Sequence, residues 1–157
     1  MLLEPQPWSC LPMAFSKVLD IPFDNLIRRI GHDGSEFVYK NKNFRRGFHM
    51  QECIDVALAL GAMCVPIEHH YALTPDGLET YVIGTPQEQS ERFIRYLETT
   101  KRGILEGLSL VGKCQPIGHS CAWINNKIHS PEGSIYLYKE RLLHNFSISR
   151  LWRIVWL

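Results

Sequence analysis

The length, composition and charge of the chain limit what kind of protein it is. Its 157 residues fit one domain of ordinary size, spanning 1–157. A hydrophobic fraction of 45% and a charged fraction of 21% are typical of a globular protein and argue against a disordered chain. Lys and Arg total 17 against 16 for Asp and Glu, so the net charge of +1 gives no general reason to bind nucleic acid or an anionic membrane.

The cysteines and the N-terminal residues indicate the cellular compartment of the protein. The cysteines number five, lie spread along the chain and never form a CxxC pair, which favours reduced thiols over a disulfide framework. They are Cys10, Cys53, Cys64, Cys114 and Cys121. Residues 1–10 have neither the basic start nor the apolar run of a signal peptide, and no window has the apolar length of a membrane span. We therefore expect a cytoplasmic protein.

Four segments have helical periodicity. They are residues 9–19, 23–30, 48–60 and 90–99. In the first, Ser9 is the candidate cap and Cys10 lies in the first turn, where Pro12 is tolerated because the backbone donors lack intrahelical partners. Gly31 is expected to end the second helix. In the third, the residues expected to point inward are Ile54, Ala57, Leu58 and Leu60.

Short β-branched and aromatic runs bounded by turn residues predict strands. They are residues 63–67, 103–110, 118–123, 127–129, 134–138 and 151–156. Several helices followed by antiparallel strands predict an α+β domain, with N-terminal helices packed against a C-terminal antiparallel sheet. The apolar segment 151–157 is expected to be a central or inter-subunit strand.

Cys10 and His119 are the residues whose contexts suggest chemistry. A thiol is a nucleophile only as a thiolate, and the N-terminus of a helix stabilises that anion. His119, at the start of a predicted strand, is the candidate imidazole that forms an ion pair with Cys10 and later protonates the leaving group. The backbone amide of Cys10 and the side chain of Gln6 are the candidate donors for an oxyanion.

Two segments carry a resemblance to a known family. One is W-S-C-L-P-x-A at 8–14, which opens a helix; the other is G-H-S-C-A-W at 118–123, followed by K-I-H-S-P-x-G at 127–133. They resemble the papain-like cysteine peptidases and, within them, the C39-like peptidases of bacteria and phages. The resemblance implies a papain-like fold, with Cys10 as nucleophile and His119 as base.

Two supporting positions depart from the pattern of the family. Ser130 occupies the position where the family commonly has Asp or Asn, so the group that orients His119 is either Ser130 or one of three alternatives, or it is missing. The alternatives are Asn125, Asn126 and Glu132. The oxyanion glutamine of C39-like members lies about six residues before the cysteine, which selects Glu4 here. Because a carboxylate repels an oxyanion, we favour Gln6.

Three functions remain open at this stage. The first is a cysteine peptidase that cleaves peptide or isopeptide bonds in a protein or peptide substrate, without a cofactor or metal. The second is a papain-fold acyltransferase or deamidase that forms the same acyl-enzyme. The third is a non-catalytic binding or structural protein on a papain-like scaffold, such as one encoded by a phage. A reactive Cys10 distinguishes the first two from the third.

The remaining loops, histidines and cysteines are interpreted as structural residues. The loop at 31–36 is interpreted as a solvated turn, and the basic stretch at 40–46 as a solvated loop. His49, Cys53, His69 and His70 lack the close pairing that makes a zinc assignment strong. Cys121 shares a strand face with His119 and is assigned to the core, and Cys53, Cys64 and Cys114 are assigned to packing.

Overall fold

The computed structural model describes residues 5–38, 45–69, 86–109 and 117–157. For residues 86–89 and 117 it describes the backbone alone. Within these residues the chain forms four α-helices and six β-strands, which confirms the predicted α+β class. The helices are α1 (Cys10–Leu19), α2 (Phe23–Ile30), α3 (Met50–Ala59) and α4 (Pro86–Glu98). The strands are β1 (Ala62–Glu68), β2 (Arg102–Ser109), β3 (Ile117–Ile124), β4 (Lys127–His129), β5 (Ile135–Tyr136) and β6 (Phe146–Trp156).

The six strands form one antiparallel sheet in the order β1-β6-β2-β3-β4-β5. The last strand along the chain therefore lies inside the sheet, which confirms the prediction of a central strand. The strand begins at Phe146, whereas the prediction placed its start at 151. Its apolar spacing changes: Phe146 and Ile148 are two residues apart, but Ile148 and Leu151 are three apart. That irregularity hides the first half of the strand from a pattern of strict alternation.

Helices cover both faces of the sheet. Helices α1, α2 and α3 pack on one face, where Phe15, Val18 and Leu26 contact a core that includes Ile104 and Ala122 of the sheet. Helix α4 packs on the other face. Its core contains Phe93, Leu97, Leu105, Cys121 and Trp123. Strand β1 precedes α4 along the chain, as the predicted strand at 63–67 and the predicted helix at 90–99 indicate.

The helix ends follow local chemistry. Gly31 adopts a left-handed conformation (φ +93°) and ends α2 as predicted. Helix α3 begins at Met50 instead of 48, because the Glu52 carboxylate accepts a hydrogen bond from the backbone N–H of His49 and closes a capping box. The inward face of α3 is formed by Cys53, Val56 and Ala57. The prediction for Leu58 is wrong: it is 55% exposed.

A β-bulge lies between β2 and β6. Glu106 pairs with Arg150 and Gly107 pairs with Ile148, so Ser149 is the extra residue on β6. Its hydroxyl donates a hydrogen bond to the Glu106 carbonyl at 3.2 Å. The extra residue restores the side-chain parity, so that Ile148 and Leu151 both face α4.

No helix in the described part of the chain is long and apolar enough to cross a membrane.

Candidate active site

A cavity of about 550 Å³ opens where the N-terminus of α1 meets β2 and β3. We call it the Cys10 cavity. Its opposite wall is the segment 46–50, which leads into α3. The lining residues that carry reactive or charged groups are Cys10, Arg46, His49, Glu106, His119 and Ser120. The structure therefore brings Cys10 and His119 to one cavity, although 108 residues of sequence separate them.

Cys10 is the first residue of α1 and is half-buried. Burial raises the pKa of its thiol, and hydrogen bonds from the backbone N–H groups of Ser120, Leu11 and Cys10 itself lower that pKa only in part. Strand β4 pairs with β3 only as far as Ala122, so β4 does not use the N–H of Ser120. The sulfur thus lies beside the open edge of β3, surrounded by three backbone donors that favour an anion.

The chain enters α1 through a tight turn. The N–H of Ser9 donates to the Gln6 carbonyl at 2.9 Å, and the N–H of Gln6 donates to the Ser9 hydroxyl at 3.2 Å. Ser9 occupies the predicted N-cap position, but its hydroxyl binds this turn rather than a helical N–H. Gln6 is exposed on the turn and does not line the Cys10 cavity. Glu4 lies outside the described residues.

His119 contacts Cys121 rather than Cys10 in this structure. Its Nε2 lies 3.4 Å from Cys121 Sγ, and the ring edge packs on Phe146 with centroids 5.2 Å apart. Burial lowers the pKa of His119, and the nearby Glu132 carboxylate raises it in part. Both shifts favour a neutral thiol at Cys10 and a neutral imidazole at His119 over the expected ion pair.

Cys121 lies in the core, as expected from the alternation of β3. It is fully buried on the α4 face, and the Tyr136 hydroxyl is hydrogen-bonded to its sulfur. Burial raises the pKa of Cys121 to about 12, so this thiol stays protonated at neutral pH. Burial likewise raises the pKa of Cys64 to about 11 and that of Cys53 further. Cys114 lies outside the described residues.

The residues proposed to orient His119 lie in different surroundings. Ser130 is buried, but its hydroxyl accepts a hydrogen bond from the N–H of Ser134 at 3.1 Å and closes a turn. Asn125 and Asn126 form the β3–β4 turn with φ of 50° and 63°, at the far end of β3 from His119. Glu132 is the member of this group whose charge acts on His119.

No family model, curated protein or solved structure matches this chain. The structure also brings no group of three or more His, Cys, Asp and Glu residues together as a metal site within the part of the chain that it describes. His70 and residues 40–44 of the basic stretch lie outside that part.

The loop at 31–36 supports the cavity wall instead of being only a solvated turn. His32 Nε2 lies 2.8 Å from Glu52 Oε1, and its Nδ1 accepts a hydrogen bond from the N–H of Gly34 at 3.0 Å. The ring stacks on Phe48 of the wall, with centroids 5.2 Å apart. The Asp33 carboxylate accepts from the Ser35 backbone N–H, as expected for the turn. Sequence reasoning missed the role of Glu52, because its partners are distant in sequence or belong to the backbone.

The Glu52 carboxylate makes the stability of the cavity wall depend on pH. Burial raises the pKa of Glu52, but hydrogen bonds from the His49 backbone and His32, with the charges of His32 and Arg46, outweigh burial and lower it. A carboxyl whose folded pKa is lowered adds stability above its unfolded pKa, and that stability is lost as the pH falls through the folded value. Glu52→Gln should therefore lower the free energy of unfolding by about 1 kcal/mol at pH 7 and by much less near pH 3.

Urea denaturation of both proteins at the two pH values measures this difference. Asp55→Asn is the control, because Asp55 is exposed on the same helix and binds only Gln51 among its described contacts. An equal loss for Glu52→Gln at pH 7 and pH 3 would show that the carboxylate charge does not stabilise the wall.

Proposed function

We propose that the protein is a papain-like cysteine peptidase, a thiol hydrolase that cleaves peptide or isopeptide bonds through an acyl-enzyme at Cys10. The observation that carries the proposal is the setting of the Cys10 sulfur. It lies at the first residue of a helix, beside three backbone N–H donors and on the wall of a cavity. A helix N-terminus and converging backbone donors favour both a thiolate and an oxyanion.

In the proposed reaction His119 acts as a general base toward a neutral thiol. His119 lies on the α4 face with Cys121, so its ring first turns around the edge of β3 that β4 leaves unpaired at Ser120. It then takes the proton from Cys10 as the sulfur attacks the substrate carbonyl, and gives that proton to the leaving amine. The backbone N–H groups near Cys10 receive the oxyanion, and the exposed Gln6 becomes a further donor when its side chain turns into the cavity. Water then hydrolyses the thioester, with His119 again accepting a proton. Glu132 stabilises the imidazolium between these steps.

The papain-like fold belongs to the same proposal. Supporting it are the nucleophile on the first helix, the base on a later strand and a helix layer against an antiparallel sheet. An acyltransferase or a deamidase uses the same acyl-enzyme and differs only in the acceptor or in the amide attacked. Analysis of the products separates these from a peptidase.

A second candidate is a non-catalytic binding or structural protein on this scaffold. The contact of His119 Nε2 with Cys121 favours it, because a histidine used only for packing has no need to approach Cys10. The raised pKa of Cys10 also favours it. The two candidates differ in whether the reactivity of Cys10 depends on His119.

Alkylation by iodoacetamide across pH, measured at each cysteine by mass spectrometry, tests this dependence. We expect Cys10 to react about tenfold faster than half-buried Cys64 at pH 7. Because burial lowers the pKa of His119, its imidazole stays neutral at pH values somewhat below the ordinary histidine pKa of about 6.5. The reactivity of Cys10 should persist at these pH values and should fall when the pH is low enough to protonate His119.

His119→Ala should remove the excess reactivity of Cys10. His129→Ala, on the neighbouring strand and outside the Cys10 cavity, is the matched control and should preserve it. Equal reactivity of Cys10 in the wild type and in His119→Ala would refute the base and favour the binding protein.

A further inference from the structure

We infer that Glu106 makes the Cys10 cavity select substrates that carry a cationic group, such as a lysine or arginine side chain, next to the bond that Cys10 attacks. The inference rests on the proposed function and adds a substrate class to it.

The register of the sheet places Glu106 close to Cys10. Glu106 on β2 is directly opposite Ser120 on β3. Opposite residues of an antiparallel pair share a face and have Cβ atoms about 4.5–5.5 Å apart. The backbone N–H of Ser120 is hydrogen-bonded to the Cys10 sulfur. Glu106 and Cys10 are thus both neighbours of Ser120, and both residues line one cavity.

Two contacts hold the Glu106 carboxylate in position. The Trp152 indole N–H donates to Oε2 at 2.7 Å, and the Arg150 guanidinium lies 3.5 Å from the same oxygen. Both of these contacts use Oε2, and none of the described residues is hydrogen-bonded to Oε1. Arg150 is shared with Glu68, whose carboxylate lies 2.6 Å from its Nε. Among the residues that the structure describes, two carboxylates share this one guanidinium, which leaves a net negative charge around Glu106.

The cation on the opposite wall does not reverse that charge. Arg46 lies 3.1 Å from a Glu52 oxygen and 3.7 Å from a Glu36 oxygen, so two carboxylates again surround one guanidinium. Among the described residues, His49 and His119 are the other titratable groups lining the cavity besides Cys10. Burial lowers the pKa of His119, so its imidazole adds no charge at neutral pH. A carboxylate fixed on the wall of a concave site attracts cations and repels anions, because low-dielectric walls focus its field.

Three small alkylating reagents that differ in charge test the inference without a known substrate. They are 2-bromoethylammonium (cationic), iodoacetamide (neutral) and iodoacetate (anionic). The rate constant of each at Cys10 is divided by its rate constant at Cys64 in the same molecule, which removes the intrinsic reactivity of the reagent. We expect the ratio of cationic to anionic reagent at Cys10 to fall about fivefold in Glu106→Gln, since one wall charge is lost.

Two further variants control this result. Asp55→Asn removes a carboxylate that does not line the cavity and should leave the ratio close to that of the wild type. Glu106→Asp retains the charge and should keep most of the preference, and circular dichroism shows whether each variant is folded. An unchanged ratio in folded Glu106→Gln overturns the inference.

The controls also separate this inference from the proposed function. If iodoacetamide still reacts with Cys10 in a His119-dependent way while the charge ratio does not change, only the assignment of Glu106 fails. If Cys10 reacts with none of the three reagents, both proposals fail.

Discussion

Gly107→Ala should lower the free energy of unfolding by about 3 kcal/mol, the upper end of the usual effect of overpacking. A Cβ at this position would overlap the carbonyl oxygen of Ser147 and would lie 2.8 Å from the Cα of Ile148. Both obstacles are backbone atoms of β6, so no side-chain rotation relieves them. The bulge at Ser149 brings β6 this close to β2, and a methyl group there forces the two strands apart.

Thermal unfolding measures this loss, and Gly118→Ala is its matched control. For a chain of this length a loss of about 3 kcal/mol lowers Tm by about 6–12 °C. Gly118 lies on the adjacent strand β3, and a Cβ there meets nothing within 4 Å. Its replacement should change stability by less than about 1 kcal/mol. Similar Tm values for the two variants would contradict the close approach of β6 to Gly107.

Cys10→Ala should abolish the proposed peptide hydrolysis, with a loss of at least about a thousandfold in kcat/KM, as expected when a covalent nucleophile is removed. Alanine retains the start of α1 and removes only the sulfur. The fold should persist because Cys10 is half-buried and lies outside both core clusters. Peptides with lysine at successive positions are the first substrates to assay, with mass spectrometry to identify the products.

Cys64→Ala is the matched control for this loss. Cys64 is a half-buried thiol on β1, outside the Cys10 cavity, and its replacement should leave hydrolysis close to the wild-type rate. Hydrolysis that survives Cys10→Ala would remove Cys10 as the nucleophile. Loss of activity in both variants would point to a general effect on folding.

Local signals predicted most of the secondary structure. Helix α2 was predicted at its observed bounds, because its apolar spacing and the terminal glycine agree. Leu58 was placed on the wrong side of α3, since periodicity alone does not reveal which of two apolar stripes meets the sheet. The start of β6 was missed because a bulge interrupts its alternation.

The candidate site was predictable only where a short segment carries the signal. Cys10 at the start of a helix is a local pattern, and it was recognised. The contact of His119 with Cys121 depends on side-chain rotamers and packing against Phe146, which no local pattern reports. Glu106 was missed because its neighbours Trp152 and Arg150 become close only when β6 pairs with β2.

The position of β6 between β1 and β2 has a consequence during synthesis. When residues 62–68 and 102–124 have emerged from the ribosome, β1 and the β2–β3 hairpin both lack the strand that separates them in the sheet. Their unpaired edges stay exposed until residues 146–156 are translated, which is the period when such a nascent chain is most prone to aggregation. The cavity wall that contains Glu106 depends on Trp152 and Arg150, so it is completed only after translation has passed residue 152.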